Sequence, residues 1–209
     1  MKKLSPAILF DELAKNYETM RKEIHWSPFP HIENAIRNLN ITGWKCLDLG
    51  CATGETSRWL AEKNAIPVGI DISENMIAIA VEKSPGLMFM QYDLNDGIPF
   101  PDEHFDCIIA MGSLEYLPDQ KKITEIIAKK LKPKAILLAV YETFGDEAPG
   151  GNRRIVPMFD NWTRYRIAPR ELQNIAKKYF TEFEITPVPG YLHEEENKTI
   201  QYLRLIAQK

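Results

Sequence analysis

The segment CLDLGCATGETS at residues 46–57 joins a short apolar run to an aspartate and closely spaced small residues. The small residues fall at Gly50, Ala52 and Gly54, directly after Asp48. Glycine lets the backbone approach a ligand closely, and amide groups at the start of a helix can donate hydrogen bonds to it. The pattern therefore predicts a ligand-binding loop between a strand and a helix.

This loop differs from the common phosphate-binding loops. The dinucleotide fingerprint G-x-G-x-x-G would need a small residue at position 55, where this chain has Glu55. A phosphate at this helix start would also meet the carboxylate of Asp48. The segment does not read G-x-x-x-x-G-K-[ST] either, so a P-loop is not expected. These departures favour a ligand without a pyrophosphate and disfavour a nicotinamide-dependent oxidoreductase.

Two aspartates follow the next two predicted strands. Asp71 follows Gly54 at close to the separation of ~20 residues that is expected for an acidic residue accepting hydrogen bonds from ribose hydroxyls. Asp93 ends the third strand, where a carboxylate can accept a hydrogen bond from an adenine amino group. Together with the loop they outline a site for an adenosine that carries a short amino-acid tail. The alternative interpretation makes Asp71 a helix cap and Asp93 a turn residue.

Alternating strands and helices would bring these residues together. Continuous apolar runs are typical of parallel strands that are covered on both faces. Right-handed crossovers then place the carboxyl ends of the strands at one edge of a doubly wound sheet, where ligands bind. The runs cover residues 45–49, 66–70, 87–91, 105–111 and 135–141.

Further elements are predicted on either side of this core. The N-terminal helix carries an apolar stripe of Leu9, Leu13, Tyr17, Met20 and Ile24. Other helices are predicted over residues 32–39, 119–131 and 169–179, and a final antiparallel hairpin over 183–186 and 200–207. The stretch between residues 143 and 157 reads as a loop.

The composition limits the class of protein. The chain has 209 residues, of which 44% are hydrophobic and 26% charged, as in a single soluble globular domain. No apolar run is long enough to span a membrane, and Asp11 and Glu12 interrupt the place of a signal peptide, so a cytoplasmic protein is expected. The net charge of −3 does not favour nucleic acid. The three cysteines and four histidines lack metal-ligand spacing, so no metal is expected.

Five segments, in order, resemble the motifs of the class I S-adenosylmethionine-dependent methyltransferases, in particular the small-molecule branch that includes the quinone-biosynthesis enzymes. LDLGCATGE resembles the first motif, VGIDISENMI the second, the segment from 90 to 119 the third and fourth, and LKPKA the LKPGG turn before the fifth strand. The resemblance covers roughly residues 10–142. It implies a Rossmann-like, doubly wound α/β fold with a mostly parallel seven-stranded sheet, helices on both faces and a C-terminal antiparallel hairpin strand.

The resemblance also implies a cofactor, S-adenosylmethionine, with S-adenosylhomocysteine as its product. Asp48 would hold the α-amino group, Asp71 the ribose hydroxyls, and Asp93 with the Leu94 amide the adenine edge. The N-terminal FDxxAxxY pattern, which ends at Tyr17, closes over the cofactor in the family. The implied cofactor residues are Tyr17, Asp48, Gly50, Cys51 through its backbone, Ala52, Gly54, Asp71, Ile72, Met76, Asp93, Leu94, Met111 and Gly112.

Catalysis needs few protein groups, because the sulfonium already activates the methyl group and the protein must mainly align the acceptor and exclude water. The family often has a histidine where this chain has Tyr116, which removes a common candidate base. The candidates that are left are His25, Tyr116 and Glu142, and for each an ordinary packing or surface role is the favoured interpretation.

The acceptor site should come from segments outside the shared scaffold. Arg153, Arg154, Trp162 and Tyr165 combine aromatic rings with guanidinium groups, which suits a planar or carboxylate-bearing small molecule. A surface loop whose aromatics anchor it while its arginines face water explains them equally well. The fourth strand ends in MGSL, unlike the [ND]PP[YF] of nucleic-acid amino-methyltransferases, so a nucleic-acid partner is not expected.

The sequence thus predicts one methyltransferase domain with four parts. Residues 1–43 would form a helical lid, 44–142 the cofactor-binding core, 143–170 the acceptor insertion, and 171–209 the C-terminal helix and hairpin. The predicted reaction is methyl transfer from S-adenosylmethionine to an O, N or C atom of a small molecule. One alternative is a protein that binds S-adenosylmethionine without transferring its methyl group. The other, which the loop sequence disfavours, is a nicotinamide-dependent oxidoreductase. The acceptor and the oligomeric state are left open.

Overall fold

The computed structural model describes residues 5–23, 29–143, 155–158, 162–193 and 198–209. Its strands are β1 (Lys45–Leu49), β2 (Ile66–Asp71), β3 (Met88–Gln91), β4 (Phe105–Met111), β5 (Leu131–Glu142), β6 (Ile155–Met158), β7 (Trp162–Tyr165), β8 (Glu182–His193) and β9 (Lys198–Gln208). Its α-helices are α1 (Pro6–Leu13), α2 (Tyr17–Glu23), α3 (Phe29–Ile36), α4 (Glu55–Glu62), α5 (Glu74–Lys83), α6 (Gln120–Lys130) and α7 (Pro169–Tyr179). Short 3₁₀ turns cover Ala14–Asn16, Leu94–Asp96 and Leu114–Tyr116.

Within these residues a seven-stranded sheet has the order β3-β2-β1-β4-β5-β9-β8. The first five strands pair in parallel, and β9 runs antiparallel to both of its neighbours. This confirms the predicted Rossmann-like sheet with its C-terminal hairpin. The strand order reverses between β1 and β4, and the opening between two such strands at their carboxyl ends is where doubly wound sheets bind ligands.

Apolar side chains cover both faces of the sheet. Successive residues of a strand point to opposite faces, so Leu47 packs in one cluster with Ile123 of α6, while Cys46 packs in another with Leu60 of α4. A strand that is buried on both faces has a continuous apolar sequence and not an alternating one. For this reason the apolar runs in the sequence predicted the first and last residues of β1 and β4 correctly.

Several element bounds differ from the predictions. The predicted N-terminal helix is divided by the turn at Ala14–Asn16, where Ala14 is buried. The hairpin β6–β7 occupies part of a stretch that was predicted to be a loop or left without a strand. The strand β8 continues through Pro187 and Pro189, because it is an edge strand and an edge strand can lack some N–H donors.

The turn in the LKPKA segment contains a strained residue. Lys134 has φ +66°, in the left-handed region, and occupies a position where the resembled family has glycine. Its N–H donates to the carbonyl of Lys209 and its carbonyl accepts from the Gln208 side chain, so the turn is held in this conformation. For a residue with a Cβ atom the left-handed region costs about 1 kcal/mol.

We expect Lys134→Gly to raise the free energy of unfolding by about 0.5 kcal/mol. Glycine relieves the backbone strain, but it also increases the conformational entropy of the unfolded chain, which offsets part of the stabilisation. The measurement is the urea midpoint. Asn64, at φ +61°, is the matched control, since asparagine tolerates the left-handed region and Asn64→Gly should change stability less. A Lys134→Gly variant that is less stable than the wild type would contradict the assignment of strain.

Candidate cofactor site

A cavity opens at the carboxyl ends of β3, β2, β1 and β4, with an empty volume of about 580 Å³ that includes space open to solvent. The predicted cofactor residues that line it are Tyr17, Gly50, Ala52, Asp71, Ile72, Asp93, Leu94 and Gly112. The loops after four neighbouring strands therefore meet at this point, as the order of the sheet requires.

The loop after β1 is in close contact with the loop after β4. Gly50 has φ +71°, and a Cβ atom placed there would lie 2.4 Å from the Cβ of Ser113. The Ser113 hydroxyl donates to the Leu49 carbonyl at 2.7 Å, while the Gly50 and Cys51 amides donate to the carbonyl of Ile70. Glycine at position 50 is thus required both by the backbone conformation and by the close approach.

Asp71 is held at the wall of the cavity by two backbone donors. The Ala52 N–H donates to Oδ2 at 2.9 Å and the Ser73 N–H donates to Oδ1 at 3.0 Å. Burial raises the pKa of Asp71, and these backbone hydrogen bonds oppose the shift. Each carboxylate oxygen can accept more than one hydrogen bond, so a fixed carboxylate at this place can also receive two neighbouring hydroxyls.

Asp93 lines the same cavity from the end of β3. Its Oδ1 accepts hydrogen bonds from the backbone N–H and the side-chain amide of Asn95, both at 2.8 Å. The turn role that was the alternative interpretation is therefore present, and Asp93 lines the cavity as well.

Three of the predicted cofactor residues serve the packing around the cavity instead of lining it. A Cβ atom on Gly54 would lie 2.8 Å from the Phe89 ring, so the close contact between the start of α4 and the sheet requires a glycine at this position. Met76 is fully buried, and only its N–H has a local role, as donor to the Ser73 hydroxyl. Cys51 is buried, and its Sγ would lie 2.8 Å from a Cβ atom on Gly69.

Asp48 and Met111 also lie just outside the cavity wall. Asp48 is 3% exposed and accepts a hydrogen bond from the Ser57 hydroxyl at 2.7 Å. The pKa of Asp48 is raised to about 7, chiefly by burial and further by the neighbouring Asp71 carboxylate, while the hydrogen bond from the Ser57 hydroxyl opposes the shift. Met111 packs against the core on the side of Leu138 and Val140. Neither side chain contacts the space of the cavity directly.

The N-terminal residues cover the cavity. Phe10 and Tyr17 line it, and the Phe10 ring meets Tyr116 edge-on at 5.2 Å between centroids. Burial raises the pKa of Tyr17 to about 12, so its hydroxyl stays protonated. The FDxxAxxY pattern of the resembled family predicted that this segment covers the cavity. The apolar stripe of the helix did not predict it, because such a stripe does not specify the surface against which the helix packs.

Polar contacts hold the N-terminal residues over the cavity, and the sequence did not predict these contacts. Asp11 accepts from the Ser73 hydroxyl at 2.5 Å and from the Asn75 N–H at 3.1 Å. Glu18 accepts from the Thr53 hydroxyl at 2.7 Å and from Lys83 at 2.8 Å. Arg21 also pairs with Glu55. The only signal in the sequence was that these charged residues lie off the apolar stripe.

Several predicted acceptor and base residues fall outside what the structure describes. His25, Arg153 and Arg154 lie outside the described residues, as does the side chain of Trp162. Tyr165 is partly buried, and its carbonyl accepts from the Gln120 amide at 2.9 Å. These assignments stay predictions.

Glu142 is fully buried between two guanidinium groups. Arg164 approaches one of its carboxylate oxygens at 2.8 Å and Arg166 approaches the other at 2.5 Å. Both carboxylate oxygens of Glu142 are therefore engaged in ion pairs within the protein. The alternative interpretation, in which the arginines of this segment face water, does not hold for Arg164, which is 2% exposed.

Among the residues that the structure describes, no group of three or more His, Cys, Asp or Glu side chains is placed to hold a metal ion. In the same part of the chain no helix is both long enough and apolar enough to cross a membrane.

Residues 47–139 match the family model described as "Methyltransferase domain". Over 108 residues, 48% of this chain, the sequence is 35% identical to "Methyltransferase GfsG" of Streptomyces halstedii, of which it covers 39%. Over 187 residues, 83% of this chain, it is 28% identical to "Demethylmenaquinone methyltransferase" of Tropheryma whipplei (strain Twist), of which it covers 73%. The chain therefore spans less than half of the first relative and about three quarters of the second.

The fold is also similar to that of a solved structure, an S-adenosylmethionine dependent methyltransferase from Mesorhizobium loti. The TM-score is 0.67 at 19% sequence identity, over 87% of this chain and 97% of that one. The likeness at this identity concerns the fold alone. Residues 47–139 thus match a methyltransferase-domain family, and the chain is similar in sequence to a demethylmenaquinone methyltransferase and in fold to an S-adenosylmethionine-dependent methyltransferase.

Proposed function

We propose that the protein transfers the methyl group of S-adenosylmethionine to an O, N or C atom of a small-molecule acceptor. The observation that carries the proposal is the buried, doubly hydrogen-bonded Asp71 in the wall of a cavity that also presents Asp93. Two carboxylates at the ends of neighbouring strands match the two polar parts of adenosine, its ribose and its amino group.

The residues in the wall fit this cofactor. Asp71 would accept the ribose hydroxyls, Asp93 and the Leu94 amide would bind the adenine edge, and Ile72 would pack on the base. Gly50 and Gly112 leave room beside the loops for the methionine part. A sulfonium methyl donor supplies an activated methyl group when bound, so the protein has to align the acceptor and keep water out.

The N-terminal residues are suited to keep water out. Phe10 and Tyr17 cover the cavity, and the polar contacts of Asp11 and Glu18 hold them to α5 and to the loop after β1. We propose that residues 5–23 act as the lid and that residues 143–170 contribute to acceptor binding. An acceptor other than nucleic acid and a location in the cytoplasm stay predictions from the sequence.

Thermal melting with candidate cofactors tests the proposal. Excess S-adenosylmethionine or S-adenosylhomocysteine should raise the melting temperature, because a ligand at 100 times its dissociation constant adds about 2.7 kcal/mol to the free energy of unfolding. NAD and NADP are the controls and should leave the melting temperature unchanged. A rise with NAD alone would contradict the proposal, whereas binding of S-adenosylmethionine without turnover of any acceptor would favour the alternative of a binding protein.

A further inference from the structure

The N-terminal cover of the cavity, residues 5–23, carries two aromatic residues that are each followed by a carboxylate. Phe10 and Tyr17 line the cavity, and Asp11 and Glu18 come next to them in the chain. The two carboxylates bond to residues at least 35 positions away, in the loops after β2 and β1. The same segment therefore supplies rings to the cavity and charged groups to the loops that build it.

Asp11 is bonded to the start of α5. Its Oδ1 accepts hydrogen bonds from the Ser73 hydroxyl at 2.5 Å and from the Asn75 N–H at 3.1 Å, and its carbonyl accepts from the Asn75 side-chain amide. A carboxylate is favoured at this place, because the first N–H groups of a helix carry partial positive charge. Asp11 thus fixes the side chain of Ser73, which is fully buried.

Ser73 connects this contact to the carboxylate that the proposed function assigns to the ribose. The Ser73 N–H donates to Oδ1 of Asp71 at 3.0 Å. One residue therefore joins the N-terminal cover to the wall of the cavity, and a displacement of Asp11 also releases the residue that holds one oxygen of Asp71.

Glu18 makes the equivalent contact on the other side of Asp71. It accepts hydrogen bonds from the Thr53 hydroxyl at 2.7 Å and from Lys83 at 2.8 Å. Thr53 directly follows Ala52, whose N–H donates to Oδ2 of Asp71 at 2.9 Å. The two carboxylates of the cover are thus bonded at, or next to, the two backbone donors that fix Asp71.

Asp11 and Asp71 also interact through their charges. Burial raises the pKa of Asp71 and its backbone hydrogen bonds oppose this shift, while the charge of Asp11 adds to the increase. Because two carboxylates repel each other, closing the cover costs electrostatic free energy until further donors reach Asp71. Ribose hydroxyls would be such donors. Closure of the cover and binding of the ribose should therefore favour each other to the same extent.

We propose that Asp11 and Glu18 are positioning residues, which couple closure of the N-terminal cover to the alignment of Asp71 for the ribose. This coupling rests on the proposed function, since the ribose is the group that Asp71 would receive there. The cofactor is released only after the two contacts break, and its ribose is recognised fully only while they hold. The acceptor takes no part in the coupling, so binding of the cofactor product alone can test it.

The test measures how the full chain binds S-adenosylhomocysteine and its 2′-deoxy analogue, with calorimetry for Kd and surface plasmon resonance for the dissociation rate. The wild type should bind the analogue at least about tenfold more weakly, because the analogue lacks one donor to Asp71. Asp11→Ala should release the parent compound about tenfold faster and discriminate the analogue less than about threefold. Glu12→Ala, at an exposed position of the same helix, is the control and should match the wild type.

Salt separates the two contacts. The pair of Glu18 with Lys83 is partly exposed and is therefore screened by salt, whereas Asp11 bonds to uncharged donors. Wild-type release of S-adenosylhomocysteine should become about threefold faster between ~0.05 M and ~1 M NaCl. Glu18→Gln should release it fast at both concentrations. A salt dependence that is unchanged in Glu18→Gln would contradict the role of Glu18.

The discrimination of the analogue distinguishes coupling from mere covering. If Asp11→Ala still discriminates the 2′-deoxy analogue as strongly as the wild type does, the coupling is overturned while the proposed function stands. Asp11→Asn keeps an acceptor oxygen for Ser73, so it should retain slow release and part of the discrimination, and it keeps the test decisive if Asp11→Ala does not fold. If the folded wild type does not bind S-adenosylhomocysteine, both the coupling and the proposed function fail.

Discussion

Replacing Asp71 with alanine should weaken the binding of S-adenosylmethionine by about 100-fold or more. The proposed contact consists of two ribose hydroxyls that donate to one buried carboxylate, and a hydrogen bond to a charged group contributes about 1.5–3 kcal/mol. Loss of both bonds corresponds to roughly two decades in the dissociation constant. Isothermal titration calorimetry gives this constant directly. The control is Asp96→Ala, because Asp96 is exposed and lies outside the cavity wall.

Asp71 also holds the Ala52 and Ser73 amides, so its loss could act through the loops alone. A ligand-side control distinguishes the two causes. A 2′-deoxy analogue of S-adenosylhomocysteine should bind the wild type more weakly than the parent compound, because it lacks one donor to Asp71. In the Asp71→Ala variant the two ligands should bind almost equally. An analogue that is still discriminated by the variant would show that Asp71 does not contact the ribose.

Gly50→Ala is expected to destabilise the protein by about 2–4 kcal/mol. One part of the cost is the left-handed backbone at φ +71°, and the other is the new Cβ atom, which would lie 2.4 Å from the Cβ of Ser113. Both atoms belong to loops fastened to the sheet, so neither can move away cheaply. Urea unfolding monitored by circular dichroism measures the loss.

Gly43 is the matched control for this substitution. It has φ +75°, but a Cβ atom there would meet nothing within 4 Å, so Gly43→Ala carries the backbone cost alone, about 1 kcal/mol. The difference between the two variants isolates the contact with Ser113. Adding Ser113→Gly to the Gly50→Ala chain should recover part of this difference. Equal losses in Gly43→Ala and Gly50→Ala would mean that the loops are not in close contact.

The sequence determined the sheet and the strand ends that form the cavity. Runs that are apolar on both faces located β1 and β4, and the carboxyl ends of parallel strands must share one edge of the sheet. Asp71 and Asp93 could therefore be assigned to one cavity without coordinates. The reason is that strand periodicity and crossover handedness are local rules, and they fix where the strand ends lie relative to each other.

The roles of single residues within the motifs were less predictable. Gly54 belongs to the first motif, yet its lack of a side chain serves the contact with Phe89 and not the cavity. Met76 belongs to the second motif and is fully buried. A sequence motif shows which residue type occurs at a position. The neighbouring residue that makes this type necessary is seen only in the tertiary structure.

Only the tertiary structure decided how the cavity is closed and what lies beside it. The N-terminal cover depends on contacts such as that of Glu18 with Thr53, and the orientation of Glu115 depends on Tyr202, which is 87 positions away in the chain. Burial, which raises the pKa of Asp48 and of Glu115 to about 7, likewise results from packing between distant segments. Composition and periodicity carry no signal for such pairs, because nothing local in either segment specifies its partner. The sequence thus determined which strand ends meet at the cavity, and the packing of remote elements decided which side chains line and cover it.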